Sequence, residues 1–126
     1  FCHKIKPKIN SFNDMDIALD PFPYNGTTST CEALFMGIPV VALEGDRHVS
    51  RVSQSLLECI GHGDLVTSTI DEYIQKTVDL TADKSRLYDL KCQIRSDMLK
   101  SPLMDGKTFA SKFQETILNL IPDSYL

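Results

Sequence analysis

The sequence predicts an α/β fold: a short parallel sheet with flanking helices and a helical C-terminus. Three observations carry this. Short apolar, β-branched runs alternate with segments of helical periodicity, the order expected of consecutive βαβ units with right-handed crossovers. The strand-like runs are almost continuously apolar, as in strands buried on both faces. After the third such run only helical patterns follow.

The elements follow in order. "MDIALD", residues 15–20, reads as a buried strand that ends on an acid. "PFPYNG", 21–26, is a loop, because two prolines and an Asn-Gly pair exclude helix. "TTSTCEALFMG" is a helix stopped by Gly37. "IPVVALEG", 38–45, is the second strand. The next helix takes Asp46 as N-cap, buries Val49, Val52, Leu56, Leu57 and Ile60, and ends at Gly61 and Gly63. "DLVTST", 64–69, is the third strand. Ser68 or Thr69 then caps a helix with Ile70, Tyr73, Ile74, Thr77 and Val78 at core spacing. Asp83 or Lys84 starts another, with Leu87, Leu90, Ile94 and Met98 inward. "SPLMDG" breaks it, and a last helix carries Phe109, Phe113, Ile117 and Leu120 as its core stripe.

Length and composition bound the function. The 126 residues suit one domain, 1–126, with a real core, at 42% hydrophobic and 24% charged. Three strands are fewer than a complete nucleotide-binding domain has, and the chain opens on Phe1. Both lead us to expect the C-terminal portion of a larger protein. The net charge of −4 argues against a general nucleic-acid partner. The basic run His3–Lys8 reads as a solvated edge. No apolar run approaches the roughly 20 residues needed to cross a membrane, and no secretory signal opens the chain. The four cysteines, Cys2, Cys31, Cys59 and Cys92, lack CxxC spacing, so no zinc or thioredoxin-like site is expected. Separated thiols fit a reducing cytoplasm. Cys31 has no basic neighbour and reads as a small buried residue. Asp14 and Asp16 spell DxD, but a hard cation needs more oxygen ligands, so no metal site is assigned. His62 reads as a surface turn residue. No cofactor is expected.

The chemistry concentrates after the first strand. In doubly wound folds ligands sit beyond the carboxyl ends of the strands. There the first helix opens with free backbone N–H groups and a positive dipole end. Gly26 permits close approach to the backbone. Thr27, Thr28 and Ser29 add hydroxyls, which makes an anion site suited to a phosphate or diphosphate. Glu32 lies one turn deeper on the Thr28 face, where a carboxylate suits the vicinal hydroxyls of a ribose. The two together describe a nucleoside diphosphate. Neither a Walker loop nor the dinucleotide GxGxxG is present. The competing explanation is a helix capped by one threonine with the remaining hydroxyls solvated. Asn25, Arg47 and His48 are further candidate cleft residues. For Arg47, His48 and Arg51 the plainer alternative is a capped helix start with solvated basic side chains.

The run "DPFPYNGTTSTCEAL" with "GDRHVSRV" resembles the C-terminal catalytic region of the O-linked N-acetylglucosamine transferase family, including bacterial tetratricopeptide-linked and SPINDLY-like members. "DEYIQ" and "SPLMDG" extend the resemblance over roughly residues 14–115. It implies a GT-B glycosyltransferase with Rossmann-like halves. The donor it implies is a UDP-sugar, UDP-N-acetylglucosamine, held chiefly by the C-terminal half and transferred to Ser or Thr hydroxyls of a protein acceptor. It further implies that Thr28 and Ser29 hold the diphosphate and Glu32 the ribose. Several relatives carry His at the Thr27 position. A His and an Arg that face the donor in relatives match Lys8 and Ser11 here. The family's catalytic Lys precedes this segment, so no catalytic residue is assigned within it. The alternatives are a non-catalytic interaction module that keeps the fold, and a GT-B enzyme using another sugar nucleotide or acceptor.

Overall fold

The computed structural model describes residues 14–120. The basic run His3–Lys8, Cys2, and the Lys8 and Ser11 positions lie outside the described residues. Three parallel strands, β1 (Ala18–Leu19), β2 (Val40–Leu43) and β3 (Val66–Thr67), form a sheet in the order β1-β2-β3. The register pairs Ala18 with Val40, Leu19 with Val41, Ala42 with Val66 and Leu43 with Thr67. The connections are α1 (Thr28–Phe35) between β1 and β2, and α2 (Val52–Cys59) between β2 and β3. Helices α3 (Ile70–Ala82), α4 (Lys84–Lys100) and α5 (Gly106–Leu120) follow. The expected α/β class and strand–helix alternation are both present.

The central strand β2 is buried at Val40, Val41 and Ala42, as its unbroken apolar run requires. Leu34 of α1, Leu57 of α2, Leu65, Leu80 of α3 and Ile94 of α4 complete the core around it. Each such side chain contributes about 1.5–3 kcal/mol relative to exposure.

Helices α1 and α2 end the same way. Gly37 donates to the Leu34 carbonyl and Ile38 to the Ala33 carbonyl, while Gly61 and His62 repeat the pattern on Glu58 and Leu57. Both glycines have positive φ, +76° and +83°. These are Schellman ends, which turn the chain back toward the sheet. Thr69 caps α3, accepting the Glu72 N–H at 3.2 Å, and Asp83 caps α4, accepting the Arg86 N–H at 2.9 Å. Ser68 does not cap; its own N–H donates to the Glu72 carboxylate.

Several expectations need correction. The strands are shorter than their apolar runs. Gly63–Leu65 forms a 3-10 turn instead of strand, leaving Val66–Thr67 to pair. Asp46 caps nothing: a 3-10 turn at His48–Ser50 precedes α2, whose first residue is Val52. Val49 consequently sits in that turn and is exposed. The α3 core face is Tyr73 and Leu80, with Thr77 half-buried, whereas Ile70, Ile74 and Val78 are 52–55% exposed. Helix α5 buries none of its residues; Phe109, Phe113, Ile117 and Leu120 are 43–73% exposed. Periodicity identifies an apolar face but not what covers it, and no described element covers these two. His62 is not a surface residue. It is 8% exposed, and its Nε2 lies 2.9 Å from the Asp97 carboxylate of α4. Among the described residues no helix is long and apolar enough to cross a membrane.

Candidate functional site

The loop 20–27 leaves the carboxyl end of β1 and delivers the chain to α1. It is tied by a buried polar network. Asp20 is 3% exposed. Its Oδ1 accepts the Gly26 N–H at 2.9 Å and lies 3.2 Å from the Thr30 hydroxyl. The Thr30 hydroxyl is also 3.2 Å from the Ser53 Oγ of α2, and Ser53 Oγ donates to the Gly26 carbonyl at 3.1 Å. Asn25 donates from Nδ2 to the Pro21 carbonyl, and its Oδ1 accepts the Ser53 N–H. The Asn25 backbone N–H reaches the Val49 carbonyl. From α3, the Tyr73 hydroxyl donates to the Asp20 carbonyl at 3.0 Å, and the Tyr73 ring meets the edge of Phe22. The Phe22–Pro23 peptide is cis.

Burial pushes the Asp20 carboxyl above the ordinary carboxylate range, against the opposing pull of the Gly26 N–H and the Ser53 and Thr30 hydroxyls. Its second oxygen, Oδ2, is buried without a hydrogen-bond partner. The Tyr73 phenol is pushed up as well, first by burial and then by the Asp20 charge. Burial, followed by the Glu32 charge, raises the Cys31 thiol, which is half-buried and so more open than expected.

This network divides the candidate residues into two groups. Thr27, Thr28 and Ser29 are exposed, whereas Thr30 is buried. No side chain caps α1, so none of the threonines plays the capping role that was the competing explanation. The first-turn N–H groups and three hydroxyls thus stand at the surface together beyond β1. Thr28 and Glu32 line one cavity of about 240 Å³, walled by Cys31, Phe35, Met36 and Met98. That confirms the shared helical face inferred from their spacing. Asn25 is 2% exposed and serves as a strut within the loop rather than facing a cleft. The small size of Gly26 is required first by the protein itself: a Cβ there would lie 2.6 Å from Ser29 Oγ and 2.7 Å from Thr30 Oγ1.

Arg47 and His48 are exposed in the turn before α2. His48 and Arg51 line a larger cavity of about 580 Å³ along the outer face of α2, with Asp46 and Glu58. Its mixed charge gives no preference for an anion, and none of the α1 hydroxyls reaches it. Asp16 pairs with Lys91 at 2.7 Å, which holds its carboxyl below the ordinary range. Sequence reasoning missed Asp20, Thr30 and Ser53 as the parts that shape the site. The only local signal was the acid at the end of the first strand.

A parallel α/β unit with an uncapped, hydroxyl-rich helix start beyond a strand's carboxyl end has the architecture of the phosphate- and nucleotide-binding α/β folds. Comparison with known proteins narrows this. Residues 10–113 match the family model "Glycosyl transferase family 41", and the chain belongs to that family. It is 46% identical over 101 residues to a probable UDP-N-acetylglucosamine–peptide N-acetylglucosaminyltransferase SPINDLY of Hordeum vulgare, covering 80% of this chain and 11% of the relative. The Arabidopsis thaliana protein of the same description is 42% identical over 112 residues, covering 89% of this chain and 12% of the relative. Among solved structures, a mutant of the Thermobaculum terrenum O-GlcNAc transferase superposes with a TM-score of 0.81 at 35% identity, over 89% of this chain and 22% of that one. The chain therefore spans a small part of the length of the relatives it matches.

Proposed function

We propose that this chain is the donor-binding portion of a protein O-glycosyltransferase, and that the donor is UDP-N-acetylglucosamine. The observation that carries the reading is the uncapped start of α1, with Thr27, Thr28 and Ser29 exposed beside it and Glu32 one turn further along the same cavity wall. Thr28 and Ser29 with the first-turn N–H groups hold the diphosphate, and Glu32 accepts hydrogen bonds from the ribose. Thr27 adds a third hydroxyl at the mouth. When the glycosidic bond breaks, negative charge grows on the leaving nucleoside diphosphate. Fixed hydroxyl and N–H donors stabilise that charge in place, and donors of this kind contribute about 3–4 kcal/mol each in well-built oxyanion sites. The names borne by the relatives support this donor and a peptide acceptor; we propose that the acceptor groups are its Ser or Thr hydroxyls.

The test is equilibrium binding on the intact polypeptide that carries this sequence. UDP binds, uridine binds at least roughly tenfold more weakly, and Glu32→Ala weakens UDP. A parallel series of UDP- and GDP-sugars reads the base and sugar. Preference for a GDP-sugar would replace the donor while keeping the glycosyltransferase reading. Absence of binding to every nucleotide would leave the non-catalytic interaction module as the correct reading.

A further inference from the structure

We infer that Asp20 is a positioning residue of the donor site: its buried carboxyl group ties the Gly26 N–H to the Thr30 hydroxyl and thereby fixes where the α1 hydroxyls and N–H groups point. The inference rests on the donor reading above and extends it to a residue that need not touch the donor. Three features of the geometry carry it. First, the same oxygen contacts two points six and ten residues away, Gly26 at 2.9 Å and Thr30 at 3.2 Å, which closes the loop onto the first turn of α1. Second, the tie continues through Ser53 to the Gly26 carbonyl, so both polar groups of the Gly26 backbone are held. The N–H belongs to the peptide plane before Gly26 and the carbonyl to the plane after it, so both planes flanking Gly26 are held, and Thr27 shares the second of them. Third, Asp20 keeps a buried Oδ2 with no hydrogen-bond partner. A carboxyl group buried with one oxygen unpaired is unfavourable for the fold on its own account.

The network also explains the division of the hydroxyl run. Thr30 turns inward as a strut, and the three preceding hydroxyls remain outside, available to a ligand. Asn25, which braces Pro21 and the start of α2, holds the other side of the same loop.

The experiment measures UDP affinity and Gly26 amide exchange in the intact polypeptide for wild type, Asp20→Ala, Asp20→Asn and Thr30→Val. Asp20→Ala weakens UDP by roughly tenfold or more and removes Gly26 protection, while the amides of Leu90 and Ile94 in α4 keep theirs. Asp20→Asn keeps an acceptor oxygen and restores most of both. Thr30→Val keeps the side-chain shape, leaves the fold intact and gives a smaller loss of affinity; it decides the matter if Asp20→Ala does not fold. Wild-type binding with unchanged affinity and Gly26 protection in these variants would overturn the inference and leave the donor reading standing. A wild type that binds no nucleoside diphosphate overturns both.

Discussion

The starts of α1 and α3 invite comparison, since both open on a run of hydroxyl residues. At α3 the hydroxyl next to the helix is used internally: Thr69 accepts the Glu72 N–H, and Glu72 in turn accepts the Ser68 N–H. At α1 the side chain of the corresponding Thr27 accepts nothing from its helix. The orientation of α1 is instead set from behind, by Asp20, Asn25, Thr30 and Ser53, all buried. The difference separates two uses of the same residue types. A helix start that satisfies its own donors is structural. One that is braced from beneath leaves its donors outward, as the proposed donor site requires.

The strongest way to break this comparison is Gly26→Ala. The added methyl meets Ser29 and Thr30, and Thr30 cannot turn away without leaving Asp20. We expect UDP affinity to fall by roughly tenfold and stability by about 1–2 kcal/mol, read by titration and by urea unfolding.

A paired substitution sharpens it. Thr69→Ala removes a real cap and should cost about 1 kcal/mol of stability with no change in UDP affinity. Thr27→Ala removes no cap and should stay within about 0.5 kcal/mol in stability while weakening UDP. Equal stability losses at the two positions would erase the distinction.

The smallest expected effect is a dependence on pH. Burial strengthens the hold of the Asp20 carboxyl group on its proton, above the ordinary carboxylate range. The folded state then holds that proton more tightly than the unfolded chain does. The resulting stabilisation is full below the ordinary carboxylate range and is lost as pH rises through the raised value. Tyr73, the titratable side chain that faces Asp20 from α3, is raised too, so it changes charge only in the alkaline range. Urea unfolding from pH 4 to 8 should show wild type losing stability relative to Asp20→Asn as pH increases. A flat difference across that interval would mean that the carboxylate is charged throughout.

What the sequence made legible was local. Gly37 and Gly61 announce helix ends because a left-handed residue is needed within the turn itself. Thr69 and Asp83 announce starts because a cap acts over three residues. The shared face of Thr28 and Glu32 follows from helical geometry alone. Asp20 was visible only as an acid closing an apolar run. Its network runs on to Ser53 in α2, and Tyr73 in α3 reaches its carbonyl from 53 residues away; nothing local says that they meet. The α3 and α5 stripes show the opposite limit. Their periodicity was plain, yet Ile70, Ile74, Val78 and the α5 aromatics face outward, because burial depends on a neighbour and not on a repeat.

The hydrogen bond from Tyr73 to the Asp20 carbonyl spans 53 positions of the chain. It sets an order of assembly. As the polypeptide leaves the ribosome, the 20–27 loop emerges well before the residue that secures it, and Ser53 comes between. Contacts of such long sequence separation form late, because the entropy of closing the intervening chain must be overcome first. The N-terminal end of α1 is therefore among the last parts of this unit to acquire its final shape. A nascent chain halted before Tyr73 would carry every hydroxyl of the site without the brace that aims them.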